Sequence, residues 1–287
     1  MIDVALHYCS ERDLSADYRQ ALTRVARSMQ ASGITPLTLE DSVFNRWLLG
    51  AAPSQSTTRS NYRRMGLTLW RAALDLQLAT HRIGRVARVK CRVAPPVAWS
   101  ASELSRLLSH AEQMTGVFRA SGCPQSLFWR GWILTGYETG VRFRDLHYLQ
   151  ANQMRDCRLW VVQHKTGRPL GKQLSANCQS VLCDLAKLST DGSLFRWALS
   201  RKHVFLHFRK LVKDAGLAGS SKFLRRSGAT AVEMASPGAA SKFLGHLSPG
   251  LAAKHYLDPT LLAERQPSPP PICVTQSKTA GPSVASS

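Results

Sequence analysis

No apolar run in the sequence reaches the roughly eighteen residues that a membrane-spanning helix needs. Met1 to Asp13 lacks the basic-then-apolar order of a secretory signal, so a cytosolic protein without a membrane partner is the expectation. The cysteines are Cys9, Cys91, Cys123, Cys157, Cys178, Cys183 and Cys273. They are odd in number and include no C-x-x-C pair, which argues against a disulfide framework and against a structural zinc site. No glycine-rich phosphate loop is present, because Gly167 and Gly171 lack the strand–loop–helix context and the Lys-Ser/Thr ending. No pair of carboxylates stands in an obvious catalytic arrangement. Acidic residues are scarce altogether: 18 Asp and Glu face 38 Lys and Arg, for a formal net charge of +20. Such an excess calls for a polyanionic partner, nucleic acid before all others. An anionic membrane surface fits less well, since the basic residues are spread over several helices.

What is present is helical periodicity. Leu14, Tyr18, Leu22, Val25 and Met29 fall at three- and four-residue steps, with Ser15 as N-cap and Gly33 as terminator. A second helix is expected from Thr38, with Asp41 at the reciprocal capping position, carrying Phe44, Trp47 and Leu48 and stopping at Gly50. A third is expected over about 57–79. Leu67, Trp70, Leu74 and Leu78 form its apolar stripe, and Arg59, Arg63, Arg64 and Arg71 lie elsewhere around it. Helices this short need each other's apolar faces, so residues 1–81 read as a small helical bundle. Residues 82–97 read as an extended basic linker. Arg82, Arg85, Arg88, Lys90 and Arg92 stand in a stretch with no acidic residue between Asp75 and Glu103, and Pro95-Pro96 follows. Like charges this dense repel one another unless a polyanion such as a DNA backbone neutralises them. An ordinary solvated linker is the plainer alternative.

The second domain is expected over 98–265 and is mainly α with one small antiparallel sheet. Ser100 and Glu103 make a capping box ahead of Leu104, Leu107 and Leu108. A helix rich in Phe128, Trp129, Trp132 and Leu134 is broken by Gly140, and a short one carries Arg142 to Leu149. Leu159, Val161 and Gln163 alternate with Trp160, Val162 and His164 before a turn over Lys165–Pro169. Helices resume near Gln179, Arg201 and Leu224, and short ones follow Pro237 and Pro249, the last leading into Tyr256. Residues 266–287 are Pro, Ser and Thr with few apolar anchors, the composition of a disordered tail.

In order, this domain offers Thr139-Gly140-Val141-Arg142-Phe143-Arg144-Asp145-Leu146, then His164-Lys165-Thr166-Gly167-Arg168, then Lys222-Phe223-Leu224-Arg225-Arg226, then Leu244-Gly245-His246, then His255-Tyr256. Each residue alone has an ordinary reading: a salt-bridged arginine, a turn lysine, a solvated basic face, a helix-end histidine, a packing tyrosine. The ordered set resembles the catalytic domain of the tyrosine recombinase (phage integrase) family, and the resemblance spans about residues 12 to 265. Arg142 and Asp145 fit that family's Thr-Gly-x-Arg-x-x-Glu/Asp-Leu context. Lys165 lies on its β-hairpin turn, Lys222 to Arg225 match its His/Lys-x-x-Arg box, Leu244 to His246 match its Leu-Gly-His box, and Tyr256 follows as the nucleophile.

The resemblance implies an α+β fold in which a helical core-binding bundle precedes the catalytic domain. It implies double-stranded DNA with a specific core site as partner, a homodimer on one site and a homotetramer at synapsis. The implied reaction is site-specific strand exchange through a 3′-phosphotyrosyl intermediate, with no metal, no ATP and no other cofactor. The chemistry is coherent. A phosphodiester gathers charge in its five-coordinate transition state, and without a metal fixed cations must stabilise it. Arg142 and Arg225 can bind the non-bridging oxygens bidentately while staying charged. His246 and Lys222 would add hydrogen bonds, Lys165 would protonate the leaving 5′ oxygen, and Asp145 would orient the site from behind. Arg59, Arg63, Arg64, Arg82, Arg85, Arg88, Lys90 and Arg92 are the candidate DNA contacts.

Two features depart from the family pattern. Lys222 stands where a histidine is usual, and it keeps a cationic donor but gives up a neutral base near pH 7. The interval from His246 to Tyr256 is one residue longer than in many members, which raises the question whether Tyr256 or its neighbour His255 faces the phosphate. Leu257 to Ala263 could dock on a neighbouring protomer, or Leu261 and Leu262 could fold back on their own domain. Two rival functions share much of this pattern: relaxation of the type IB topoisomerase kind, and a DNA-binding regulator derived from a recombinase that no longer cuts.

Overall fold

The computed structural model describes residues 1–91, 94–119, 121–195, 200–246 and 249–263. Arg92 and the tail over 266–287 lie outside the described residues. The chain divides into two compact units between Ala94 and Pro95.

In the first unit, α2 (Ala16–Ala31) starts where expected, with Ser15 Oγ accepting the Tyr18 backbone N–H at 3.3 Å. Its apolar stripe is buried through Leu22, Val25 and Met29. It is preceded by α1 (Ile2–Ser10), which the sequence reading treats only as a terminus. This helix does carry an i, i+3, i+4 pattern in Met1, Val4 and Ala5, all buried, but over two turns such a pattern gives little signal. The second expected helix begins later than Thr38. Thr38 Oγ1 accepts from the Thr35 N–H at 2.9 Å, and α3 spans Asp41–Arg46 before a π-helical turn over Trp47–Ala51. Asp41 forms no cap; its carboxylate accepts the backbone N–H groups of Gly84 at 3.0 Å and Arg85 at 2.5 Å. Those two donors lie more than forty residues along the chain and outcompete the local cap. The third helix, α4 (Ser56–Asp75), is shorter than expected, and Leu78 is 45% exposed beyond its end. Phe44, Trp47 and Trp70 pack at the centre, with ring centroids 5.2 and 5.5 Å from Phe44.

The basic segment from Arg82 lies along this bundle. Asn45 Nδ2 donates to the Arg85 carbonyl at 3.0 Å, the Ala87 N–H donates to Asn45 Oδ1 at 2.7 Å, and Arg63 Nε donates to the Ala87 carbonyl at 2.7 Å. Ile83, Val86 and Val89 pack on the core while Arg82, Arg85 and Arg88 are exposed. That is a three-residue alternation, the period of a polyproline-II chain and not the two of a β-strand.

The second unit is built around α6 (Gln125–Thr139). Its Phe128, Trp129, Trp132 and Ile133 are buried on several sides, as a helix with apolar residues all round must be. Around it stand α5 (Ala101–Glu112), α8 (Ala176–Lys187), α9 (Arg201–Asp214) and α10 (Lys222–Ala235). The capping box of Ser100 and Glu103 is formed as expected. A Cβ at Gly228 of α10 would overlap the Tyr137 carbonyl oxygen of α6, so these two helices pack backbone to backbone. A two-residue ladder, β1 (Val117–Phe118) with β2 (Cys123–Pro124), is an addition to the one sheet expected. The other sheet runs antiparallel in the order β3 (Met154–Arg155), β4 (Arg158–Val162), β5 (Pro169–Gln173). Leu159, Val161 and Gln163 face inward, and Trp160, Val162 and His164 face out, the alternation the sequence predicts. The short helices α7 (Phe143–His147), α11 (Ala240–Leu244), α12 (Pro249–His255) and α13 (Pro259–Ala263) complete it. Among the described residues no helix is long and apolar enough to cross a membrane.

Candidate active site

Two glycine turns and a helix end bring the site together. Gly140 ends α6 in the left-handed region (φ +58°), and Arg142 follows as the N-cap residue of α7. Gly245, also left-handed (φ +66°), ends α11 and delivers His246. The α12 helix ends at His255, and Tyr256 follows it directly. Arg225 rises from the first turn of α10 into the space between them.

Arg225 is 5% exposed and is the hub. Its Nη1 donates to the Gly140 carbonyl. Its Nη2 donates to the Leu244 carbonyl at 3.2 Å and lies 3.2 Å from His246 Nε2. Its guanidinium carbon stands 4.8 Å from the centre of the Tyr256 ring, and the His246 and Tyr256 rings are 5.0 Å apart. Burial and the neighbouring Arg142 pull the Arg225 pKa below its usual value, while Tyr256 and Asp145 oppose that fall. A guanidinium has no acceptor, so the contact assigns His246 Nε2 as acceptor and leaves the ring proton on Nδ1. Burial, then Arg225, Arg142 and His255, hold the His246 pKa down at about 4, so this imidazole is neutral near pH 7.

A pocket of about 510 Å³ opens onto this centre, lined by Val141, Arg142, Phe143, Arg144, Ser221, Lys222, Arg225, Arg226, His255 and Tyr256. Among the described residues, Arg142 Nη1, Arg225 Nε and His246 Nδ1 are buried donors with no hydrogen-bond partner. A buried donor left unpaired costs about 1–3 kcal/mol, so these three can offer hydrogen bonds to an acceptor-rich group, while Asp145 Oδ2 is likewise without a partner.

The sequence-derived residues thus separate into groups. Arg142, Lys222, Arg225 and Tyr256 line one pocket, and His246 touches two of them. His255 lines it as well, so the added residue before Tyr256 leaves both side chains at its wall. Asp145 is buried behind it, where its Oδ1 accepts the His164 backbone N–H at 3.0 Å and lies 3.4 Å from His164 Nδ1. Asp145 therefore ties α7 to the β4–β5 turn. Lys165 sits exposed on that turn and does not line the pocket. In the first unit Arg64, Arg82, Arg85, Arg88 and Lys90 are exposed, while Arg59 and Arg63 are half-buried.

Three residues that the sequence reading passed over hold the site in place. Gln163 Nε2 donates to the Leu244 carbonyl at 3.3 Å, and Lys172 Nζ donates to the Phe243 carbonyl. Asp258, 5% exposed, accepts the Ala98 N–H at 2.8 Å and the Thr260 N–H at 2.9 Å, which fixes the chain leaving Tyr256. The inward phase of β4 was signal enough for Gln163. Nothing local marks Asp258. Leu257 and Leu262 pack with Phe243 and Tyr256 on their own unit.

No protein-family model and no curated protein matches the sequence. Solved structures do match in three dimensions. A lambda integrase fragment, residues 75–356, crystallised as a dimer bound to a COC′ core site, superposes with a TM-score of 0.72 at 18% identity, over 95% of this chain and 99% of that one. A lambda integrase tetramer bound to a Holliday junction gives 0.70 at 18% identity, over 90% and 76% of the two chains. The XerH site-specific recombinase in a pre-cleavage complex with its difH substrate gives 0.62 at 14% identity, over 86% and 77%. The fold is that of the tyrosine recombinases.

Proposed function

We propose that the chain is a site-specific DNA recombinase that cuts and rejoins strands through a covalent bond to Tyr256. The observation that carries this reading is the set of unpartnered donors on Arg142, Arg225 and His246 around the Tyr256 ring. A phosphodiester supplies two non-bridging oxygens, acceptors that match those donors, and the reading gives the work of charge stabilisation to side chains. In the forward step the Tyr256 hydroxyl releases its proton to water as its oxygen attacks phosphorus, the bond to the 5′ oxygen breaks, and that oxygen takes a proton from Lys165, which the DNA must bring to the pocket. A 3′-phosphotyrosyl bond remains. Attack by a 5′ hydroxyl reverses the step, returns the proton and frees the tyrosine, so the phosphodiester energy is conserved. The Arg225 guanidinium, 4.8 Å from the Tyr256 ring centre, stands where charge gathers on the attacking and non-bridging oxygens in the transition state. Lys222 adds a further positive charge at the pocket wall.

The same reading makes double-stranded DNA with a core site the partner, with two protomers on one site and four at synapsis. Its support is the likeness in fold to a dimer on a core site and to a tetramer on a Holliday junction. The exposed arginines of the first unit are the proposed contacts to the phosphate backbone, and the cytosol is the proposed compartment.

Covalent trapping tests the proposal. Wild-type protein and Tyr256→Phe are incubated with DNA that flanks the gene, denatured, and captured with any attached strand. Phenylalanine keeps the ring packed between Arg225 and His246, so the expected result is a wild-type adduct reduced to background in the variant. An adduct that survives in Tyr256→Phe moves the nucleophile elsewhere, with His255 the next candidate. Intact DNA binding without any adduct makes the chain a non-cutting regulator. Relaxation of any supercoiled plasmid, without a preferred site, makes it a topoisomerase.

A further inference from the structure

Lys172 lies on the inward face of β5, paired across the ladder with Leu159, and is only 7% exposed. Its companions on that side are Leu159, Val161, Leu174 and, against Gly245, Leu170, with Gln163 a polar neighbour on that face. An aliphatic residue is what such a strand position ordinarily carries, because a buried ammonium is costly. Among the described residues Lys172 has no carboxylate partner. The charged group that faces it is Arg225 from α10, and from α11 it meets the Phe243 carbonyl, to which it donates, and the Phe243 ring, 4.5 Å from Nζ. Burial first, and Arg225 second, bring its pKa down to about 8. The fold thus keeps a lysine where both burial and a like charge oppose it.

What the lysine holds is the carbonyl end of α11. The last two carbonyls of that helix, Phe243 and Leu244, are taken by Lys172 on one side and by Arg225 with Gln163 on the other. Gly245 then reverses the chain, and His246 follows. From this geometry we infer that Lys172 is a positioning residue of the phosphate site: by gripping the Phe243 carbonyl it sets the turn that places His246 against Arg225 and Tyr256. The inference rests on the recombinase reading of the pocket.

Lys172→Met fills the same space, removes the charge and removes the donor. Lys172→Gln removes the charge and keeps a donor. Two measurements separate them: the rate of covalent adduct formation on DNA flanking the gene, and the ring NMR signal of His246 in the free protein, assigned by its loss in His246→Gln. Lys172→Met leaves the Phe243 carbonyl unpaired but removes a buried charge beside Arg225, so it is expected to melt close to wild type, yet to form adduct roughly 10- to 100-fold more slowly, the effect of a reacting group displaced by about an ångström. Its His246 signal shifts or broadens. Lys172→Gln brings back both the rate, to within roughly threefold to tenfold, and the signal. If Lys172→Met does not fold, Lys172→Val takes its place. Wild-type rate and an unmoved His246 signal in the apolar variant overturn the inference. So does equal impairment of both variants with His246 unmoved, which would give the role to charge. If wild-type protein forms no adduct, the recombinase reading fails, and the His246 signal still decides whether Lys172 positions that ring.

Discussion

Arg85, Arg88 and Lys90 in the first unit stand exposed on a segment whose backbone is fastened down by Asp41 and Asn45. Arg225 in the second unit is 5% exposed, and its guanidinium itself is fastened, by two carbonyls and an imidazole. Both regions are strongly basic, yet the chemistry they allow differs. An exposed cation is screened by water and salt and contributes to affinity over a distance. A buried, oriented cation keeps its field and loses little on reorganisation, which is what a developing phosphorane charge requires. Net charge alone thus identifies a partner class, while burial and fastening identify where a reaction can occur.

Conservative replacement should break the two regions to very different degrees. Arg225→Lys keeps the charge, but a single ammonium cannot reach the Gly140 carbonyl, the Leu244 carbonyl and His246 at once. The expected loss is ~10²–10³-fold in the single-turnover rate of adduct formation, with a drop of about 1–3 kcal/mol in stability from the buried acceptor left unpaired. Arg85→Lys, assayed alongside, should leave both within error, because no described contact of that residue uses its guanidinium. Equal, small effects in a rate assay and a urea titration would remove Arg225 from the centre of the site.

The same contrast extends to packing. A methyl group at Gly228 would collide with the Tyr137 backbone oxygen, and one at Gly66 would meet only the ring edges of Phe44 and Trp47. Backbone cannot give as a ring can. Gly228→Ala should therefore lower stability by about 2 kcal/mol, net of the gain in helix propensity, while Gly66→Ala loses less than half of that. Since α10 carries both Gly228 and Arg225, the first substitution should also slow adduct formation and the second should not. Denaturant midpoints for the pair, read against trapping rates, check both halves. Equal midpoints would mean that the α6–α10 approach is looser than its geometry.

How far these features could be read from the sequence depends on their range. Elements with local signals were legible: the Ser15 and Ser100 caps, the Gly140 break, the inward phase of Leu159, Val161 and Gln163, and the helix leading into Tyr256. The ordered boxes named Arg142, Arg225, His246 and Tyr256, and the structure brings these together; Gly140 and Gly245 mark the turns that lead into Arg142 and His246. Long-range competition was not legible. Asp41 has every local reason to cap α3, and it leaves that role for two amides near Gly84. Lys172 reads as one more surface lysine until the β4–β5 register turns it inward. Asp258 has its partner at Ala98, far along the chain. Lys165, named by its box alone, stands on an exposed turn and does not line the pocket.

The smallest effect on chemistry, and the sharpest test of the comparison, belongs to the exposed segment. Its inward residues, Ile83, Val86 and Val89, fix a three-residue repeat that holds Arg82, Arg85 and Arg88 on the open side. Replacing Arg85, Arg88 and Lys90 together with glutamine removes charge and leaves the backbone anchors of Asp41 and Asn45 intact, so the fold should be unaffected. If each of the three meets a phosphate, the slope of log affinity against log salt should fall by about 0.9 per contact, so by up to about 2.7 in all. Adduct formation at saturating DNA should stay within roughly twofold of wild type, since uniform binding energy does not enter the bound-state rate. A salt slope that does not change would place the segment off the DNA. A reduced slope with a slower bound-state rate would be more instructive still, because it would mean that the exposed charges, not only the buried ones, act on the reacting phosphate.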